Sequence, residues 1–597
     1  MAAQDLEFAS IDSRLAKLAQ TKLFAPTSND LSYRQRQNLS YKRAQAVARV
    51  FDFTGDDLHH LSDKFWALHK ANINALDTGM FTLLTIQYNL AGGELAAHAV
   101  KRPELRPLLQ SLLNFDVSAQ YLLTELAHGL DSPNLETTAT LLPSGEFDLH
   151  TPRLEACKFM PPTGPFGDMP RIAVVFASLR VAGENRGVRP FLVILGDGKT
   201  MSAGVTSWLL PQRLGTRPVD HSVTHFNHVR LPASALLGSL DMPIDMRLNF
   251  IKQIRRVAVG SMAVTLVALP LLGAGTYIAG RYSLRRTVTS PKGGQVPIWS
   301  FRTQQLPVLH GLACHAVMQA LGKEAAAYFI QQDQDIRARM GVAATLKAAF
   351  IQHSQDTLNA MVMRCGARGL FAENMIVQLQ AELRGCAIAE GDSLALCIRL
   401  ASELLLDRYE LPEPRHPNSL LAQHEAGIFA AARAELAELG PGGHRSEAYN
   451  VRILPQSKAL IEAIGHRMAY EAALDAGVDA SLLAMYEAYC LRFDAAWYAT
   501  SLGLGPREQA ALEEQAASDC VPKIEQYLQA LDMEHYSPAP MLKPETESAF
   551  FFESRKYTTN DDVTKVSYPA VVSRTPSYER QPLQMTASAM ATRESRL

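Results

Sequence analysis

From Val257 to Gly280 the chain carries no charged side chain. Arg255 and Arg256 stand before this stretch, and Arg281, Arg285 and Arg286 follow it. A run of this length and character has two possible homes. It crosses a bilayer, or it is the central helix of a protein large enough to bury it on all sides. Gly260, Pro270, Gly273, Gly275 and Gly280 weaken it as a membrane helix, so the expectation is a buried central helix and no membrane span. At 597 residues the chain has material for several domains around such a core. Hydrophobic content of 47% and charged content of 20% fit a globular protein. A net charge of -2, with no basic stripe, gives no case for a nucleic-acid partner.

The period of the apolar residues changes along the chain. Residues 1–120 read as helical, with three- and four-residue apolar spacing in Leu58 to Leu68 and Leu83 to Val100. Residues 121–245 read as a β domain. Its strands are the alternating Glu146 to His150, the short apolar runs Ile172 to Phe176 and Pro190 to Leu195, and a longer extended stretch, Val219 to Leu231. Helices return over 246–411, in Val257 to Arg286, Leu306 to Gln332 and Val342 to Met363. Pro412, Pro414 and Pro417 mark a linker. A further helical domain covers 420–557, and 558–597 is a polar tail without helical period.

Seven scattered cysteines, with no C-x-x-C pair, fit a reducing compartment and argue for neither a disulfide framework nor a metal site. The start, Met1 to Glu7, has early acids and no apolar core of a signal peptide. The last residues, Ser595-Arg596-Leu597, are a conservative variant of the Ser-Lys-Leu peroxisomal address. They predict the peroxisomal matrix as location and the import receptor as a partner.

Two segments carry chemistry. Thr124-Glu125-Leu126-Ala127-His128-Gly129, followed by Asn134 to Thr140, is a polar, glycine-containing join between an apolar run and an alternating one. Ala389-Glu390-Gly391-Asp392-Ser393 opens a helical run, with Asp392 or Ser393 placed to cap it. Glu390 follows the uncharged Cys386 to Ala389, a setting that predicts a poorly solvated carboxylate with a raised pKa. On residue chemistry alone, an exposed loop carboxylate before a capped helix is the commoner reading.

Together these segments resemble the acyl-CoA oxidases, the oxygen-using branch of the acyl-CoA dehydrogenase-like flavoenzymes. The order helical, β, helical, helical is similar too. The resemblance implies a mainly α fold with a central β-barrel and an extra C-terminal helical domain. It implies FAD as cofactor, acyl-CoA and molecular oxygen as substrates, and trans-2-enoyl-CoA and hydrogen peroxide as products, in fatty-acid β-oxidation or a specialised pathway. Glu390 then becomes the catalytic base. Thr124, Gly129 and Gly164 become flavin contacts, the last in Lys158 to Gly164, where Pro162 and Thr163 displace the family's usual residues. Arg286 and Gln304 become contacts to the flavin pyrophosphate of a neighbouring subunit, which implies a homodimer. Arg255 becomes a contact at the acyl-CoA end. Cys365-Gly366-Ala367-Arg368-Gly369-Leu370 departs from the family's Cys-Gly-Gly-His-Gly-Tyr, and Ser393 from its Asn. An acyl-CoA dehydrogenase using a protein electron acceptor, or a non-catalytic CoA-ester-binding homologue, are the alternatives.

Three further patterns carry less. His221, His225 and His228 lie in an extended stretch, where three- and four-residue steps do not share one face, so no metal is expected there. Gly196 to Thr200 lacks the first glycine of a P-loop, and Gly273-Ala274-Gly275 lies within a helical run.

Overall fold

The computed structural model describes residues 3–26, 31–331 and 333–553. The Ser595-Arg596-Leu597 terminus lies outside the described residues. The described residues up to Lys543 form one compact unit, and the helix Pro544–Phe552 belongs to another.

The first unit begins with helices set by their caps. Ser32 and Gln35 close a capping box at the head of Tyr33–Phe51. Asp77 caps Thr78–Leu84, which continues through a π-helical stretch, Thr85–Gly92, into Gly93–Ala99. The expected Leu58 to Leu68 helix is two pieces, Gly55–His60 and Asp63–Lys70, separated at Leu61 by a left-handed backbone.

The chain then enters its strands: β1 (Ser118–Leu122), β2 (Thr138–Leu141), β3 (Phe147–His150), β4 (Lys158–Met160), β5 (Arg171–Val181), β6 (Glu184–Gly196), β7 (Val205–Leu209), β8 (Ser222–Phe226) and β9 (Val229–Leu231). The long β5 organises them. β1 and β2 run parallel to it in tandem along one edge, with Ser118 opposite Arg171 and Thr138 opposite Ser178. β6 pairs antiparallel on its other edge. β3 and β9 extend the sheet beyond β2. A separate sheet has the order β4-β8-β7.

The expected closed barrel is therefore an open half-barrel. The outer edge of β6 meets only isolated bridges, Phe191 to Leu236 and Gly196 to Met201, and β9 ends after three residues, so among the described residues neither edge finds a strand to close it. The expected extended stretch Val219 to Leu231 also divides. Asn227 and His228, the latter at φ 52°, bend the chain from β8 in one sheet to β9 in the other.

The uncharged central stretch is buried. Among the described residues, Arg255–Arg285 is the one run long and apolar enough to cross a bilayer, and 89% of its most apolar window lies inside the protein. It is two helices, Arg255–Leu266 and Ala268–Arg285. Pro270 has no N–H to give the Leu266 carbonyl, which accounts for the break at Val267. Arg302–Phe329, Ile336–Arg364 and Ile376–Ile388 pack against the second of these. Beyond the linker, Ser457–Asp475 lies on Arg302–Phe329 and Ile336–Arg364, and carries Leu420–Glu438 with it.

Candidate active site

The helix Ile376–Ile388 ends in a tight turn that presents Glu390. Glu390 (φ 56°) and Gly391 (φ 93°) are both left-handed. For a glutamate this conformation persists only where its surroundings impose it. They do so from three sides. Asp392 accepts from the Ala395 N–H at 3.1 Å and caps Ser393–Leu405. Ser393 Oγ donates back to the Ala387 carbonyl at 3.0 Å. Lys347, fully buried in the middle of Ile336–Arg364, donates Nζ to the Ala389 carbonyl at 2.5 Å and to the Gly391 carbonyl at 2.6 Å.

Glu390 as a residue is half-buried, but its carboxyl end is enclosed. A Cβ built on Gly260 would lie 2.5 Å from Glu390 Oε2 and 2.9 Å from Asn89 Nδ2, so glycine is what lets both groups approach this helix. Burial pushes the Glu390 carboxyl up to about 7, with the Lys347 ammonium pulling the other way. Burial likewise brings Lys347 down to about 8, against the attraction of Glu390, Cys386 and Asp392.

Asn89 belongs to the π-helical stretch and is held by Arg256. This buried guanidinium donates to the Asn89 carbonyl at 2.7 Å, to Asn89 Oδ1 at 3.0 Å and to the Leu58 carbonyl at 3.1 Å. Gly93 makes room for it, since a Cβ there would fall 2.1 Å from Arg256 Cζ. Arg255 is the displayed arginine of the two. It is about half exposed, with Nε 3.9 Å from Glu94 Oε2. Tyr121 is buried with its hydroxyl unpartnered; burial, then Glu94 and Glu390, hold that phenol well above its usual range.

The segment after β1 is fixed by its neighbour rather than by Thr124. Glu125 and Lys158 form a fully buried ion pair at 2.9 Å. Glu125 also accepts the Glu136 and Thr137 N–H groups at 2.7 and 3.0 Å, tying together the two halves of the segment. Burial alone would raise the Glu125 carboxyl, but Lys158 and these N–H groups bring it below its ordinary value. Thr124 is half-buried, and its carbonyl accepts from Phe159 N–H at 2.9 Å. Gly129 is exposed, and a Cβ there would meet nothing. Gly164 would bring a Cβ no nearer than 3.7 Å to Ser207 Oγ. Its turn is braced by Thr163, hydrogen-bonded at 2.7 Å to both Ser207 and Thr224, and by Arg171, which donates to the Pro162 carbonyl.

Arg286 follows the end of Ala268–Arg285 and is exposed, with no ion pair among the described residues. Gln304 is not displayed with it. Its amide is spent on Ser283 Oγ at 2.9 Å and the Arg364 carbonyl at 3.3 Å, and it is buried. In the 365–370 segment, Cys365 is buried, with its thiol pushed up to about 12, and Gly366 takes φ 58°. Leu370 is exposed, as are Phe301, Met363 and Ile388. Of the three histidines set aside above, His221 bonds the Met160 carbonyl, His225 lies edge-on to Trp208 and His228 bonds Asp148.

Lys347, Asn89, Arg256 and the Glu125–Lys158 pair are the residues that sequence reasoning passed over. One signal was there: Lys347 stands alone in the apolar run Val342 to Ile351.

A half-barrel between helical bundles is the fold of the acyl-CoA oxidases. The structure superposes on acyl-CoA oxidase 1 from Yarrowia lipolytica with a TM-score of 0.78 at 18% identity, covering 92% of this chain and 91% of that one. It matches Caenorhabditis elegans acyl-CoA oxidase-2, solved bound with FAD, ascaroside-CoA and ATP, with a TM-score of 0.73 at 18% identity, covering 93% and 92%. Residues 257–405 match the family model described as Acyl-CoA oxidase, C-alpha1 domain, and over this stretch the chain is similar to the acyl-CoA oxidases. It is 26% identical over 384 residues to acyl-coenzyme A oxidase acox-1.1 of Caenorhabditis elegans, covering 60% of this chain and 54% of that protein. It is also 26% identical over 407 residues to human peroxisomal acyl-coenzyme A oxidase 3, covering 63% and 57%. These matches span a little over half the length of the curated relatives.

Proposed function

We propose that the chain is an FAD-dependent acyl-CoA oxidase, converting an acyl-CoA and oxygen to the trans-2-enoyl-CoA and hydrogen peroxide. The observation that carries this reading is the Glu390 carboxylate, enclosed beside Gly260 with a pKa near neutrality. A carboxylate of ordinary pKa is too weak to remove the α-proton of a thioester. One held near 7 is matched to working pH.

Glu390 takes the α-proton on its carboxylate. Lys347 holds the turn by the carbonyls on either side of Glu390 and keeps a fraction of the carboxylate ionised. The close approach of Gly260 and Asn89 keeps water from the carboxyl.

The chain's donors fit FAD. Among the described residues, the Thr124 hydroxyl makes no hydrogen bond, a Cβ at Gly164 would meet only ordinary van der Waals contacts with Ser207 and Ser222, and Arg286 is an exposed guanidinium without a carboxylate partner. Thr124 and Gly164 would hold the ring, and Arg286 the pyrophosphate. Gly129 is a weaker contact, since nothing in the protein crowds it. Gln304, engaged inside, serves to seat the 283–304 corner. When bound, FAD supplies the hydride acceptor and passes the electrons to oxygen.

Exposed Phe301, Met363, Leu370 and Ile388 support a homodimer that covers them. Arg255, with its side chain about half exposed, would contact the acyl-CoA. A peroxisomal location rests on the names of relatives such as the human protein and on Ser595-Arg596-Leu597.

The test is the absorption spectrum of the purified protein with a panel of acyl-CoAs. A yellow protein that bleaches with substrate and recovers its colour in air is an oxidase. Failure to recover in air makes it a dehydrogenase, and failure to bleach with any acyl-CoA removes the catalytic reading.

A further inference from the structure

His353, His466 and Cys490 are far apart in the chain and meet in the core. They stand on Ile336–Arg364, Ser457–Asp475 and Ala480–Leu491, and the second of these helices packs on the other two. All three side chains are buried, and a ring nitrogen of each histidine and Cys490 Sγ lie within 4.8 Å of one another. The two imidazole centroids are 5.0 Å apart. Cysteine spacing argues against a metal site in this chain, but spacing is blind to donors that only the tertiary fold assembles.

Each histidine has one nitrogen engaged and one left to give. His466 Nε2 donates to Gln352 Oε1 at 2.8 Å, which leaves the lone pair on Nδ1. His353 Nε2 bonds the Tyr486 hydroxyl at 3.0 Å, and its Nδ1 is buried without a hydrogen-bond partner. The same hydroxyl bonds the Cys490 thiol. Metal-bound histidines give their second nitrogen to an outer partner in this way, which fixes ring and tautomer. Burial holds both imidazoles below their ordinary pKa and so neutral, the form that ligates. An orphaned ring nitrogen at this depth is costly, and a cation relieves the cost.

The surrounding charges suit a cation. Glu487 acts on Cys490, and Asp356 acts on Tyr489 and on the nearby Cys314. The basic groups close by are already matched: Arg492 with Glu513 at 3.0 Å, His424 with Asp494 at 3.2 Å and Lys458 with Glu462 at 3.2 Å. Phe493 packs on both imidazoles, 5.9 Å from His353 and 5.3 Å from His466, and is 37% exposed. One side chain therefore separates the cluster from solvent, and its rotation gives an ion a way in.

We propose that His353, His466 and Cys490 bind a zinc ion that ties the C-terminal helical domain to the central bundle. Two imidazoles and a thiolate are a donor set for zinc, with a water as fourth ligand. Zinc bonds of about 2.0–2.1 Å to nitrogen and about 2.3 Å to sulfur place tetrahedral donors roughly 3.3–3.6 Å apart. The three side chains reach that spacing by closing in on the ion. Cys490 gives its thiol proton to solvent as the zinc–sulfur bond forms.

The test is titration of cobalt chloride into the full-length protein after dialysis against a chelator. Difference spectra against the same sample before cobalt remove any flavin absorption. The expected result is one cobalt per chain, with a thiolate-to-cobalt band that one equivalent of zinc chloride abolishes. Cys490→Ser should lose the band, and His466→Gln should bind cobalt at least tenfold more weakly. Zinc should raise the melting temperature of the wild-type protein and leave that of Cys490→Ser unmoved. Should both variants fail to fold, X-ray absorption at the zinc edge of the wild-type protein decides. One sulfur at about 2.3 Å with nitrogens at about 2.0–2.1 Å supports the site, and nitrogen or oxygen alone overturns it. Weak binding of several ions with no thiolate band means adventitious surface histidines only, and overturns the proposal. Cobalt binding unchanged in Cys490→Ser does the same. None of these readouts needs turnover, so their failure is separate from failure of the oxidase reading.

Discussion

Lys347 brackets Glu390. Its buried ammonium donates to the carbonyls of Ala389 and Gly391, one residue to either side, and its charge is the influence that opposes the burial of the Glu390 carboxyl. One side chain thus sets both the shape of the turn and the protonation of the group it presents. Removing the cation without removing its bulk should move the carboxyl further above 7. In Lys347→Met, the rising limb of flavin reduction against pH should shift to higher pH by about one unit, with the rate at pH 7 down about tenfold or more. Stopped-flow bleaching between pH 6 and 9 checks this. A slower variant with an unshifted limb would mean that Lys347 acts on shape alone.

Gly260 supplies the space for the Glu390 carboxylate and Asn89. Gly260→Ala should place a methyl group 2.5 Å from Glu390 Oε2 and drive the carboxylate aside. Overpacking of this kind costs about 1–3 kcal/mol, a modest fall in melting temperature. Flavin reduction should fall by about 10–100-fold. A variant that melts lower but reduces its flavin at the normal rate would show that the carboxylate can work from another position.

Much of this site was legible in the chain, and particular residues show where legibility ended. Glu390, Gly391 and Asp392 announce a turn and a cap, because those residues have local conformational preferences. The alternation in Phe147 to His150 matches the burial of β3 for the same reason. Closure of the barrel was not legible, since it depends on what the edges of β6 and β9 meet. Gln304 beside a run of arginines gives no hint that Ser283 and Arg364 will draw its amide inward. Lys347 and Arg256 carry charges that composition assigns to the surface. Their burial depends on carbonyls supplied by distant turns, at Ala389 and Gly391 and at Asn89 and Leu58.

Glu462, on Ser457–Asp475, offers a measurement of stability away from the turn. Burial pushes its carboxyl up to about 7, with Asp356 adding and Lys458 opposing, whereas in an unfolded chain it ionises near 4.5. The folded protein therefore holds the extra proton between those values. The stabilisation is complete below about 4.5 and is lost as pH rises through 7. Glu462→Gln has no such proton to lose. Relative to wild type it should gain roughly 1–3 kcal/mol between pH 5 and pH 8. Thermal melts at the two pH values check this, and a gap independent of pH would contradict it.

Arg286 is exposed, and unpaired among the described residues, where the proposed dimer would bring a neighbour's flavin pyrophosphate. Binding that needs two subunits couples cofactor retention to assembly. Arg286→Ala should lose flavin on dilution and melt at a temperature that depends on protein concentration. Sedimentation showing a wild-type monomer with full flavin content at low concentration would remove the cross-subunit role.

The central claim is that Glu390 abstracts the α-proton, and Glu390→Gln tests it most directly. The amide matches the carboxylate in size, so the variant should retain its flavin and bind acyl-CoA. Flavin reduction followed by stopped flow should slow by more than about 10³-fold at pH 7–8. A Glu390→Gln protein that bleaches at the wild-type rate would contradict the account.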